Sequence, residues 1–201
     1  METNKVDTGL NEFDIAVSNL DTETDPLYYR GLPLLPNSQN LEYLGAQEVL
    51  ETAKRFPSTL SCLSRKPRDK TISLARLNTT KFDKTADLEI CLQRVANELG
   101  TLSKVKPWLR AIGFSSVKDG SISHWLAAKS LGQSSDKVAV FIADWRGQGN
   151  LKELLYPMSA KYNLVNVLLS LGFYPRNMYL TLVIRREDVR VISVSVVMIF
   201  L

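Results

Sequence analysis

MYLTLVIRREDVRVISVSVVMIF, residues 178–200, sets two apolar runs either side of one polar knot. Val, Ile, Leu and Tyr dominate the runs, and Arg185, Arg186, Glu187 and Asp188 fill the knot. β-branched runs that flank a short polar stretch read as two antiparallel strands joined by a hairpin. In the second run Ile192, Val194, Val196, Met198 and Phe200 recur at every second position, which predicts one apolar face. The run is also too short to cross a membrane as a helix, which takes about 20 apolar residues. A strand of this kind needs a partner or a cover on each edge, so it is expected either inside the chain's own sheet or against a second subunit.

Working back from the hairpin, residues 138–143 are six apolar residues in a row, the pattern of a buried strand. Residues 71–77 read as a further strand. The clearest helix covers residues 85–102. Leu88, Cys91, Leu92, Val95, Leu99 and Leu102 form its apolar stripe, Asp87 and Glu89 suit its positive N-terminal end, and Gln93 is expected on its exposed side. A second helix spans residues 41–56, capped by Asn40 and stopped by Pro57, with Tyr43, Ala46, Val49, Leu50 and Ala53 turned inward. Trp108, Leu109, Ile112 and Phe114 mark another short buried piece. Residues 121–131 read as a helix closed by Gly132, and residues 159–171 as one closed by Gly172. Together these predict an α+β fold: four to six helices packed on a small, mainly antiparallel sheet with a C-terminal hairpin. The expected organisation is an acidic, flexible arm at residues 1–37 and a single α+β domain at residues 38–201.

The charge layout follows the same division. Residues 1–50 carry nine acids and two bases, residues 51–110 carry thirteen bases and six acids, and the whole chain is net +4. An acidic arm thus precedes a basic segment, which it can fold onto or leave free for another partner. No apolar leader opens the chain and cysteines are few, so the expected location is intracellular, cytoplasmic or nuclear.

Several kinds of chemistry find no support. His124 is the single histidine, which excludes two-histidine zinc motifs and multi-histidine metal centres. Cys91 lies on the apolar stripe of its helix and reads as packing. Cys62, near Arg65 and Lys66, is placed for a lowered thiol pKa, but no nucleophile motif surrounds it. No catalytic residue, metal or cofactor is expected. The best enzyme-like pattern is a strand ending at Asp144, glycines at Gly147 and Gly149, and a helix opening at Asn150. Strand, glycine loop and helix can aim backbone N–H groups at phosphate, so a nucleotide-binding or phosphoryl-transfer enzyme is the alternative reading. The Lys-Ser/Thr of a phosphate-binding loop and the third glycine of a dinucleotide fingerprint are both missing.

The stronger signal is basic. Arg65, Lys66, Arg68, Lys70, Arg76, Lys81 and Lys84 lie within twenty residues, beside only Asp69 and Asp83. Such a cluster can neutralise the phosphates of RNA or of an anionic membrane surface. Phe82 is the one aromatic near enough for stacking, which favours backbone contact over reading of bases. Tyr29 and Leu32 form a Tyr-x-x-Leu peptide in a Pro-flanked, extended stretch that an adaptor could reach. Residues 151–155 hold a Leu-x-x-Leu-Leu turn. The expectation is a non-enzymatic interaction or assembly protein that binds an anionic polymer or membrane surface and self-associates. A small viral matrix- or nucleocapsid-associated structural protein is one example.

Overall fold

A computed structural model describes residues 12–20, 27–29, 32–34, 46–66, 68–120, 136–145 and 175–200. The fold is α+β. Its principal layer is a four-stranded antiparallel sheet in the order β5-β6-β7-β8. The strands are β5 (Ser116–Asp119), β6 (Val138–Trp145), β7 (Pro175–Arg185) and β8 (Arg190–Phe200). β7 and β8 form the C-terminal hairpin. Asp188 in its loop accepts a hydrogen bond from Arg185 Nε at 2.9 Å and lies 3.7 Å from Arg190 on the return strand. The Arg185 hydrogen bonds hold the Asp188 carboxyl below its ordinary pKa.

One face of this sheet carries the main core. Phe141, Ala143 and Trp145 of β6, Leu180, Leu182 and Ile184 of β7, and Val191 and Val196 of β8 all lie in one apolar cluster. Ile192 does not join it, although the alternation along β8 predicts that it should. Ile184 pairs with Val191 and Val183 with Ser193, so Ile192 is an extra residue in the ladder. This bulge shifts the phase by one position. Val191 turns to the main core, while Ile192 packs with Val138, Val140 and Val183 on the opposite face. On that face Gly120 approaches so closely that an added Cβ would sit 2.8 Å from side-chain carbons of Val140 and Ile142.

Three α-helices are present among the described residues: α1 (Ala46–Arg55), α2 (Thr85–Glu98) and α3 (Leu102–Ala111). The predicted helix over 85–102 therefore divides. Gly100, at φ 67°, takes the left-handed conformation that ends α2, and Leu102 opens α3. At the other end of α2, Asp87 is fully buried. Its Oδ2 accepts hydrogen bonds from the Asp83 and Lys84 backbone N–H groups, at 2.6 and 3.2 Å. Arg55, the last residue of α1, reaches both Asp87 oxygens at 3.2 Å and Asp83 at 2.8 Å. A buried carboxylate is thus paired with a cation and with the unsatisfied donors of a helix start, which offsets its desolvation.

The rest of α2 lies along β8. Leu88, Leu92 and Val95 are fully buried, as the apolar stripe predicts. Gln93, expected at the surface, is only 3% exposed. Its amide donates to the carbonyls of Val191, at 3.0 Å, and Tyr28, at 3.2 Å. One turn away on either side, Asn97 Oδ1 accepts from Val191 N at 2.8 Å and Glu89 Oε1 accepts from Val196 N at 2.7 Å. Glu89, Gln93 and Asn97 stand at successive i+4 positions and so share a helix face. β8 is therefore an edge strand, with β7 on one side and a row of helix side chains on the other.

Segments of the acidic arm are part of the body where they are described. β1 (Asp14–Ala16) pairs antiparallel with β4 (Thr71–Ser73), and β2 (Tyr28–Tyr29) pairs with β3 (Leu32–Pro33). Phe13, Leu20, Leu27 and Leu34 are buried in the main core. Tyr29 and Leu32 are register partners in the β2–β3 pair, and Tyr29 packs on the core.

Candidate functional site

The basic residues lie on a loop with a defined neck. Leu63 and Leu77 form a β-bridge, Ser64 N donates to Arg76 O at 2.8 Å, and Asn78 N donates to Cys62 O at 2.8 Å. Between these points the chain runs out through Arg65 and Lys66, returns along β4, and turns at Arg76. β1 fixes the return leg, with Val17 N bonded to Lys70 O and Leu74 N to Phe13 O, both at 2.9 Å. Trp108 Nε1 of α3 donates to Leu74 O at 3.0 Å, which seats the leg on the core. Ile72 and Leu74 are buried anchors.

A disulfide between Cys62 and Cys91 anchors the neck to α2, with Cα atoms 5.3 Å apart. Both residues are fully buried. This corrects the sequence reading of a packing thiol and a separate, activated thiol, since neither cysteine titrates. The 3₁₀ turn Thr59–Cys62 packs against α2 and brings the two sulfurs together across 29 residues. Residues that distant in the chain reveal their pairing only in three dimensions.

The seven bases separate into two groups. Lys84 pairs with Glu48 of α1 at 3.0 Å, and Lys81 Nζ donates to Ser61 O at 3.3 Å, so both help hold the fold. Arg65, Lys66, Arg68, Lys70 and Arg76 are exposed, and among the described residues none forms an ion pair. Beside them a hollow of about 390 Å³ opens at the surface, walled by Asp14, Ser64, Asp69, Thr71, Ser73 and Arg76, with Ile72 the one apolar residue in its lining. Asp14 and Ser73 are cross-strand partners in the β1–β4 pair and so face the hollow together. Asp69 Oδ2 accepts from Lys66 N at 3.0 Å and shapes the turn at its rim. The hollow is polar on nearly every wall, unlike a pocket for an apolar ligand. No local sequence pattern marks it, because Asp14 and Ser73 are 59 positions apart.

Asp144, the anchor of the alternative phosphate loop, sits within β6 opposite Ser116 and Tyr179. Its carbonyl accepts from Ser115 N and Ser115 Oγ, at 2.9 and 3.0 Å. Gly147, Gly149, Asn150, His124 and residues 151–155 lie outside the described residues. Among the described residues no group of His, Cys, Asp and Glu is arranged to hold a metal ion, and no helix is long and apolar enough to cross a membrane. No protein-family model, curated protein or solved structure matches the chain.

Proposed function

We propose that this chain is a non-enzymatic interaction protein that holds the phosphate backbone of an anionic polymer, RNA being the case argued, through the loop between Leu63 and Leu77. One observation carries the reading: five exposed bases, Arg65, Lys66, Arg68, Lys70 and Arg76, with no ion pair among the described residues, stand on one loop whose neck is pinned by hydrogen bonds and a disulfide. A pinned loop presents its charges with less conformational entropy left to lose on binding. The apolar residues of this leg, Ile72 and Leu74, point into the core, so the loop offers charge without an apolar wedge. That favours a polymer backbone over a lipid surface, where charge normally acts with an inserted chain or side chain.

The test is affinity for a single-stranded RNA across a salt series. Each phosphate neutralised on a single strand contributes a slope of about −0.7 in log K against log salt, so five contacts give about −3 to −4. Changing Arg65, Lys66, Arg68 and Lys70 together to Glu is expected to abolish binding with an unchanged circular dichroism spectrum. Binding that survives the reversal in a folded protein removes the loop from the reading. Preference for anionic vesicles over RNA would move the partner to a membrane. A buried cystine persists best outside the reducing cytosol, so the series is run with and without a dithiol reductant.

A further inference from the structure

The hollow beside the basic loop contains something that a purely phosphate-binding surface would not need. Asp14 and Asp69 supply carboxylates on two sides, and Ser64, Thr71 and Ser73 supply hydroxyls between them. A carboxylate repels a phosphate, so these walls work against seating a phosphate inside. They suit a group that donates hydrogen bonds and carries no negative charge. Arg76 stands on the same wall, and Arg65 and Lys70 are the chain neighbours of Ser64 and Thr71. A strand whose phosphates lie on those bases brings its sugars to the mouth of the hollow. The sugar group of matching chemistry is the 2′-hydroxyl, which RNA has and DNA lacks.

We propose that the hollow walled by Asp14, Asp69 and Arg76 receives a ribose 2′-hydroxyl of the bound strand, so that the loop discriminates RNA from DNA. The proposal rests on the reading of the loop as a polyanion site. The 2′-hydroxyl donates to a carboxylate oxygen and accepts from a hydroxyl or from Arg76, while the bases outside the hollow hold the adjoining phosphates. A hydrogen bond to a charged acceptor in a partly shielded site corresponds to about a tenfold difference in affinity.

The experiment compares fluorescence anisotropy of four labelled 12-mers of one sequence: RNA, DNA, 2′-O-methyl RNA and 2′-fluoro RNA. Expected is RNA binding about tenfold tighter than the other three, each of which lacks the donor. Asp69→Ala and Asp14→Ala, each with an unchanged melting temperature, remove the acceptor, and the one whose carboxylate takes the hydroxyl should bring the RNA-to-DNA ratio close to one. DNA affinity should hold or rise in both, because a negative charge is removed. Equal binding of RNA and DNA by the unaltered protein overturns the proposal and leaves the polyanion reading intact. An RNA preference that survives both Ala variants also overturns it, because the discriminating contact then lies elsewhere. Absence of salt-sensitive binding to any of the four defeats the polyanion reading, and the proposal with it.

Discussion

The two edges of the four-stranded sheet reach the same end by different means. β5 is four residues long and ends in Lys118 and Asp119, both exposed. Lys106 of α3 reaches Asp119 at 2.6 Å, and little strand remains for another chain to join. β8 is eleven residues long, and no charged side chain follows Arg190. A strand like that at a sheet edge is a template for association. Here α2 runs beside it and places Glu89, Gln93 and Asn97 on its backbone groups. A short edge is protected by charge and brevity, whereas a long apolar edge needs a helix to take the place of the missing strand.

The largest effect should come from loosening that helix. Leu92 is fully buried beneath α2, and Leu92→Ala is expected to cost about 2–5 kcal/mol. Because α2 screens β8, the same change should also raise light scattering on mild heating. Thermal denaturation beside scattering checks both, and a variant that melts early yet stays monodisperse would separate α2 from the protection of β8.

A smaller effect concerns the charge used as a cover. Burial is the main force that pushes the Glu89 carboxyl up to about 7, and neighbouring Glu48 adds to it, while the hydrogen bond from Val196 N opposes it. With the folded pKa above the unfolded one, the contribution of Glu89 is fully present below about 4.5 and is lost as pH rises through about 7. Glu89→Gln keeps an acceptor for Val196 N and removes the ionisation. It should match the parent near pH 4 and exceed it by about 1–3 kcal/mol at pH 8. Urea unfolding at both pH values reads this directly, and a difference that does not change with pH would sink the assignment.

The smallest effect on stability belongs to the other edge. Lys118 is exposed and lies opposite Ile142 on β6. Lys118→Val should change the unfolding free energy by less than about 0.5 kcal/mol. It should still promote concentration-dependent association, measured by sedimentation, if charge is what keeps this short edge single.

These contrasts also show how far the chain could be read in one dimension. The hairpin was legible because alternation and a polar turn are local signals, and the start of β8 was not, since the bulge at Ile192 puts Val191 on the core face and Ile192 on the other, while Val194 and Val196 keep the face the pattern assigns them. Gln93 misled for a related reason: amphipathic reading sends polar side chains to solvent, and a strand edge buried under a helix is the exception. Glu89, Gln93 and Asn97 did carry a signal in their spacing of four beside the apolar stripe, but it identifies an edge only once the edge is known. The bases of the loop were visible as composition. That Lys81 and Lys84 are engaged by Ser61 and Glu48, while five others have no ion pair among the described residues, depends on packing. The hollow and the disulfide join residues far apart in the chain, and no local pattern records them.

The cystine has a further consequence for the chain as a covalent object. Joined at Cys62 and Cys91, the intervening residues form a closed ring that contains the five bases of the loop, Lys81, Lys84 and the first half of α2. Its outer arc is also where a protease that cuts after Lys or Arg finds exposed sites, at Arg65, Arg68 and Lys70, Lys66 being followed by proline. A single cut there opens the ring without releasing either part. The nicked protein keeps its mass until a reductant separates it into two pieces, and a strand already lying across those bases would shield them from the cut.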